Sequence, residues 1–159
     1  DVATALLPAE APPTLRDLRR AEGPAVMLAQ REGAAATAVA RLLTGDAAGL
    51  SRARPGAPLP ATGVILAIGA TDRIAGLRAA RLDGPAPAVA RQGHARVWVE
   101  RDGAGRLWVF ASSDAGPPRA EELRALPYHG GRSYVVFGPD GTTSGRWPAR
   151  DSPMRVVLE

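Results

Sequence analysis

The strongest constraint on how this chain folds is the run Gly63 to Ile68. Val64, Ile65, Leu66 and Ile68 leave it no polar side, so the run predicts a strand buried on both faces. Such strands belong to parallel sheets covered by helices. The residues that follow agree. Gly69-Ala70-Thr71-Asp72 reads as a turn, with Thr71 or Asp72 as helix cap, and Ile74, Leu77 and Ala80 continue at helical spacing. A strand, a turn and a helix therefore sit at the middle of the chain. Around this unit, Ala25 to Ala29 reads as a short buried strand and Ala35 to Leu43 as a helix. A shorter helix starts at Thr14, with Asp17 three residues on. The segment 51–62 is rich in Pro and Arg and reads as a loop.

In the second half the period changes from 3.6 to 2. Ala95 to Glu100 alternates, Asp102-Gly103-Ala104-Gly105 turns, and Arg106 to Ala111 alternates back, which is the pattern of a β-hairpin. Pro117-Pro118 opens a predicted helix over Arg119 to Ala125, with Glu121 and Glu122 in its first turn. Ser133 to Phe137 reads as a strand and Gly138 to Gly141 as a turn. Thr142 to Trp147 reads as extended, and Met154 to Leu158 as a last strand or a docking tail. The fold expected is α/β: a single three-layer-like domain with a mixed β-sheet, parallel strands in the first half and a β-hairpin in the second. Residues 1–13, ending in Ala11-Pro12-Pro13, form a linker or entry segment, and 14–159 form the single domain.

Composition narrows the chemistry. The chain has 159 residues and no cysteine, which excludes disulfides, thiolate metal sites and thiol catalysis. No apolar run approaches the roughly 20 residues that span a bilayer. The net charge of +4 does not by itself indicate nucleic-acid binding. All 20 basic residues are Arg, they are dispersed, and aromatic residues make up only 4% of the chain. An RNA-reading sheet needs clustered aromatics. The expectation is that no nucleic acid binds.

Three constellations could carry chemistry. Gly69, Thr71 and Asp72 lie where a parallel strand delivers the chain to a helix N-terminus, a place that can bind an anion or small ligand. The glycine fingerprint and the Gly-Lys-Ser/Thr phosphate loop are both missing. Ser113 after a strand, with His129 as base, is the second: a small serine hydrolase, though no Gly-x-Ser-x-Gly elbow is present. His94 and His129 are the only histidines and their spacing suggests no metal site, so no cofactor is expected in this chain. The third is the densest group of unusual residues: Tyr128, His129, Gly130, Arg132, Ser133 and Tyr134, then Trp147, then Ser152. Its plainest reading is a strand whose ends are stapled by aromatics.

The stretch from Ala125 to Met154 also resembles the C-terminal end of bacterial zinc metallopeptidases of the aminopeptidase N type, the gluzincins. The resemblance rests on Leu126-Pro127, Gly130, Ser133-Tyr134, Val135-Val136-Phe137, Gly145-Arg146-Trp147-Pro148 and Ser152-Pro153-Met154. The pair Tyr128-His129 stands in the reverse of the family's order, and the motif covers about a fifth of the chain. These peptidases hold zinc with a His-Glu-x-x-His helix, which this sequence lacks. The resemblance therefore implies a non-catalytic accessory C-terminal domain that serves domain packing or substrate access. Its partner would be the catalytic peptidase domain of the same parent chain. It further implies an extracytoplasmic location, and no catalytic residue carries over.

Overall fold

The computed structural model describes residues 11–21, 25–28, 34–45, 51–54, 56–59 and 63–148. A seven-stranded mixed sheet forms its centre. In chain order the elements are α1 (Leu15–Arg20), β1 (Ala25–Leu28), α2 (Ala34–Thr44), β2 (Ser51–Ala53), β3 (Val64–Ala70), α3 (Thr71–Arg81), β4 (Ala95–Arg101), β5 (Leu107–Ser113), β6 (Tyr134–Gly138) and β7 (Gly141–Gly145). The spatial order is β2-β1-β3-β5-β4-β6-β7. The first four of these run parallel, and β4, β6 and β7 continue the sheet antiparallel.

The expected α/β architecture with a mixed sheet is present, and its layers follow from side-chain parity. Val64, Leu66 and Ile68 of β3 point to one face, joined by Val97 and Val99 of β4 and Val109 of β5. On that face they pack under α1 and α2 through Leu15, Leu18, Val39 and Leu43. Ile65 and Ala67 of β3 point to the other face with Trp98, Trp108 and Phe110, beneath Ile74 and Leu77 of α3. Both faces of the sheet are thus covered, so the middle strands show no solvent side.

Burial on both faces explains why β4 and β5 alternate in sequence yet are almost wholly inaccessible. Their alternation separates aliphatic from aromatic and polar residues, not core from solvent. Trp98 and Phe110 are register partners with ring centroids 5.1 Å apart, and Trp108 stacks on Phe110 at 5.6 Å. Each buried indole N–H has an acceptor. Trp98 donates to Glu100 at 2.9 Å and Trp108 to Asp102 at 3.0 Å. Glu100 in turn accepts a bidentate pair from the buried Arg78 at 2.8 and 2.9 Å.

Asp102 organises the hairpin turn. Its carboxylate accepts from the amides of Ala104 and Arg106, from the Arg106 side chain at 2.7 Å and from Trp108. Burial acts to raise this carboxyl. The hydrogen bonds from Trp108, Arg106 and Ala104 outweigh it and hold the group below its ordinary value. Gly105 closes the turn at φ 81°, where a side chain would be strained.

The structure corrects several expectations. The predicted loop 51–62 contains β2, a three-residue edge strand beside β1 that is too short to leave a pattern in sequence. The β3 strand runs through Gly69 to Ala70, and α3 begins directly at Thr71. The N-cap is therefore Ala70 and not Thr71 or Asp72, because the Thr71 hydroxyl is engaged elsewhere. The predicted helix 119–125 is a series of turns. The amides of Glu122 and Leu123 both return to the Arg119 carbonyl, and a 3-10 turn follows at Leu126–His129. Little more than two helical turns separate Pro118 from Pro127, too few to offset nucleation. The predicted strand 154–158 and residues 1–10 of the entry segment lie outside the described residues.

The aromatic stack sets the cost of disturbing this core. Phe110→Ala is expected to destabilise the fold by about 3–5 kcal/mol in urea titration, because Phe110 is inaccessible and touches both tryptophans.

Candidate functional site

Two groups of polar residues occupy opposite ends of the sheet. The first lies at the carboxyl ends of β3 and β5, where parallel α/β sheets place their ligands. Arg96 of β4 is fully buried there, on the same face as Trp98 and in register with Ser112. Its guanidinium is saturated. Nε donates to the Gln92 carbonyl at 3.0 Å, and Nη2 to the Gly93 carbonyl and to Asp114, both at 2.9 Å. Nη1 reaches Thr71 at 2.5 Å, Asp114 at 3.0 Å and Ser112 at 3.3 Å.

The Thr71 hydroxyl donates to Asp114 Oδ1 at 2.6 Å. That hydrogen bond, followed by Arg96, holds the Asp114 carboxyl below its ordinary 3.8 against a smaller opposing effect of burial. Asp114 itself is 57% exposed, so solvent screens the pair. Of the predicted anion-site residues, Thr71 joins this cluster. Gly69 is the β3 register partner of Ser112, and Asp72 is exposed in the first turn of α3. Sequence reasoning missed Arg96 and Asp114. The available signal was parity: Arg96 shares its side of the strand with Trp98, so a buried Trp98 implies a buried, paired Arg96.

The second group is the C-terminal motif, which gathers at the amino end of the parallel strands. Ser133 is inaccessible and works as a four-way junction. Its hydroxyl donates to the Pro13 carbonyl at 2.8 Å and accepts from the Trp147 amide at 3.0 Å. Its amide donates to the Gly145 carbonyl at 2.7 Å, and its carbonyl accepts from Val99 at 3.0 Å. The Trp147 indole donates to the Val99 carbonyl at 2.6 Å, and its ring lies 4.9 Å from that of Tyr134. Gly145 permits this, because a side chain there would overlap the Tyr134 ring.

The remaining motif residues complete the junction. The carbonyls of Arg132 and Gly130 accept from the amides of Leu15 and Arg16 at 2.9 and 2.8 Å, which ties the start of α1 to this loop. Arg132 and Tyr128 are exposed, Tyr128 at 89%. Ser152 lies outside the described residues. A cleft of about 360 Å³ opens beside the junction between Pro12, Pro13, Pro87, Glu100, Trp147 and Pro148.

The hydrolase pairing is not formed. His129 Nδ1 is hydrogen-bonded to Ser144 Oγ at 3.0 Å, while Ser113 is buried and accepts from the Ala115 amide. The described cleft of about 360 Å³ lies at the other end of β4 from Thr71. Among the described residues no three His, Asp or Glu side chains converge as a metal site, and no helix is long and apolar enough to cross a membrane. No family model, no curated protein and no solved structure matches the chain.

The Arg96–Asp114 pair has a defined pH signature. Because the folded carboxyl is held low, its contribution is fully present above pH 3.8 and is lost as pH falls through the lowered value. Asp114→Ala is expected to cost about 1 kcal/mol at pH 7, a figure already discounted for exposure. The gap between variant and parent in urea titration should shrink progressively below pH 4.

Proposed function

We propose that this is a non-catalytic accessory domain that packs against, or controls access to, the catalytic domain of an aminopeptidase-like zinc metallopeptidase. The observation that carries this reading is the junction at Ser133 and Trp147. The residues that resemble the peptidase C-terminus spend their polar groups on one another, on Val99 of β4, on the start of α1 and on the segment preceding it. Groups so engaged position a surface; they do not turn over a substrate. The junction also places the segment before α1 and the segment after β7 at one edge, with the proline- and tryptophan-lined cleft between them. Domains of one chain commonly meet next to their connecting segments.

An accessory domain of this kind could be expected to carry a wide apolar patch. Among the described residues Tyr128 alone is a large exposed hydrophobic. The docking proposed is therefore of the polar, mixed type usual between domains of one chain. The anion-binding alternative has less support. Arg96, the cation at the carboxyl end of the strands, is inaccessible and already neutralised by Asp114.

Mass spectrometry of the native gene product is the test. The expected result is a polypeptide several times longer than 159 residues, with a His-Glu-x-x-His peptide upstream. A native product of about this length would overturn the reading.

A further inference from the structure

We infer that Arg16 and Arg146, converging over Gly131, form a clamp for carboxylate side chains of a partner protein surface. A methyl group placed on Gly131 would lie 3.4 Å from Arg146 Nη2 and 3.8 Å from Arg16 Nη2. Two guanidinium groups from elements far apart in sequence thus border the same small space over Gly131, which a methyl group would enter at ordinary contact distance. Arg146 is fixed there by its Nε, which donates to the Gly131 carbonyl at 2.7 Å. Arg16 is carried there by α1, whose first amides bond to the loop at Gly130 and Arg132.

Like charges brought together at a surface repel, and an anion normally bridges them. None of the ion pairs among the described residues involves Arg16, Arg132 or Arg146. The nearest acid in sequence, Asp17, is engaged with the Thr14 amide at 2.8 Å. No Asp or Glu occurs from residue 123 to residue 139. The exposed Arg132 adds a further charge beside Gly131, and Tyr128 stands at 89% exposure on the preceding turn. Paired arginines next to an exposed tyrosine are the residue types that interfaces favour. The planar fork of Arg matches a carboxylate, and two forks over one gap match a pair of acidic side chains.

The identification of the partner as protein rests on the docking role proposed above. The clamp itself can be tested without it. The full chain is titrated with a blocked hexaglutamate peptide while the arginine Nε–H resonances are followed by NMR. Saturable binding is expected, weakened about tenfold by Arg16→Gln. Gly131→Leu, which fills the gap without changing charge, should weaken it similarly. Arg54→Gln, an equal charge change at an exposed site elsewhere, should change it by less than about twofold. If Gly131→Leu impairs folding, the Arg16→Gln/Arg146→Gln pair replaces it.

Absence of saturable binding overturns the proposal. So does equal weakening by Arg54→Gln, which would signal diffuse attraction, or tighter binding of inorganic phosphate than of the peptide. A native product no longer than this chain, together with intact peptide binding, would remove the peptidase reading and leave the clamp standing.

Discussion

Covering both faces of β3, β5 and β4 is the constraint on which the rest of the structure depends. Once a sheet has no solvent side, each polar group on its central strands must find a partner inside the protein. This chain meets that demand by confining its buried polar groups to the strand ends. Arg96 and Ser112 sit at one end of the hairpin, and Glu100 and Asp102 at the other. Each is closed by hydrogen bonds with backbone carbonyls, indole N–H groups or a charged partner. Among the described residues no buried side-chain nitrogen or oxygen lacks a partner. The middle of the sheet is left to Trp98, Phe110, Trp108 and the aliphatic face beneath α1 and α2.

The same economy shapes the candidate sites. A buried arginine beside the carboxyl ends of parallel strands resembles an anion site, but its five N–H groups are already shared among five acceptor residues of the protein. The C-terminal motif looks catalytic in composition, with Ser, His, Tyr and Trp close together. Its geometry is that of a fastener. Ser133 makes four hydrogen bonds to three other segments, and Trp147 lies across β4. At the surface lie Tyr128, the arginines around Gly131, which join no ion pair among the described residues, and the cleft beside Trp147.

Much of the architecture was legible because period and length agree in this chain. The run at Val64 to Ile68 and the shift to alternation at Ala95 each admit one element type. Thr14 with Asp17 correctly marked the start of α1, where Asp17 accepts from the Thr14 amide. Elements set by tertiary contacts were not legible. The β2 strand is three residues long and exists because β1 offers it an edge. The turns at 119–125 carry helix-favouring residues, but prolines on either side prevail. Arg96 was not legible because a polar residue in an alternating strand ordinarily faces solvent, and here both faces are covered. Ser133 was legible as part of a motif. Its role was not, because that depends on Pro13, 120 residues away.

The central claim is that the C-terminal motif fastens the segment preceding α1 to the sheet. Native-state amide hydrogen exchange tests it most directly. Leu15 and Arg16 donate to Arg132 and Gly130, and Val99 donates to Ser133 across the same junction. The account predicts that the amides of Leu15, Arg16 and Val99 are protected together and share one opening free energy. Rapid exchange of Leu15 and Arg16, with Val99 still protected, would mean that the segment is not held by the motif and would contradict the account.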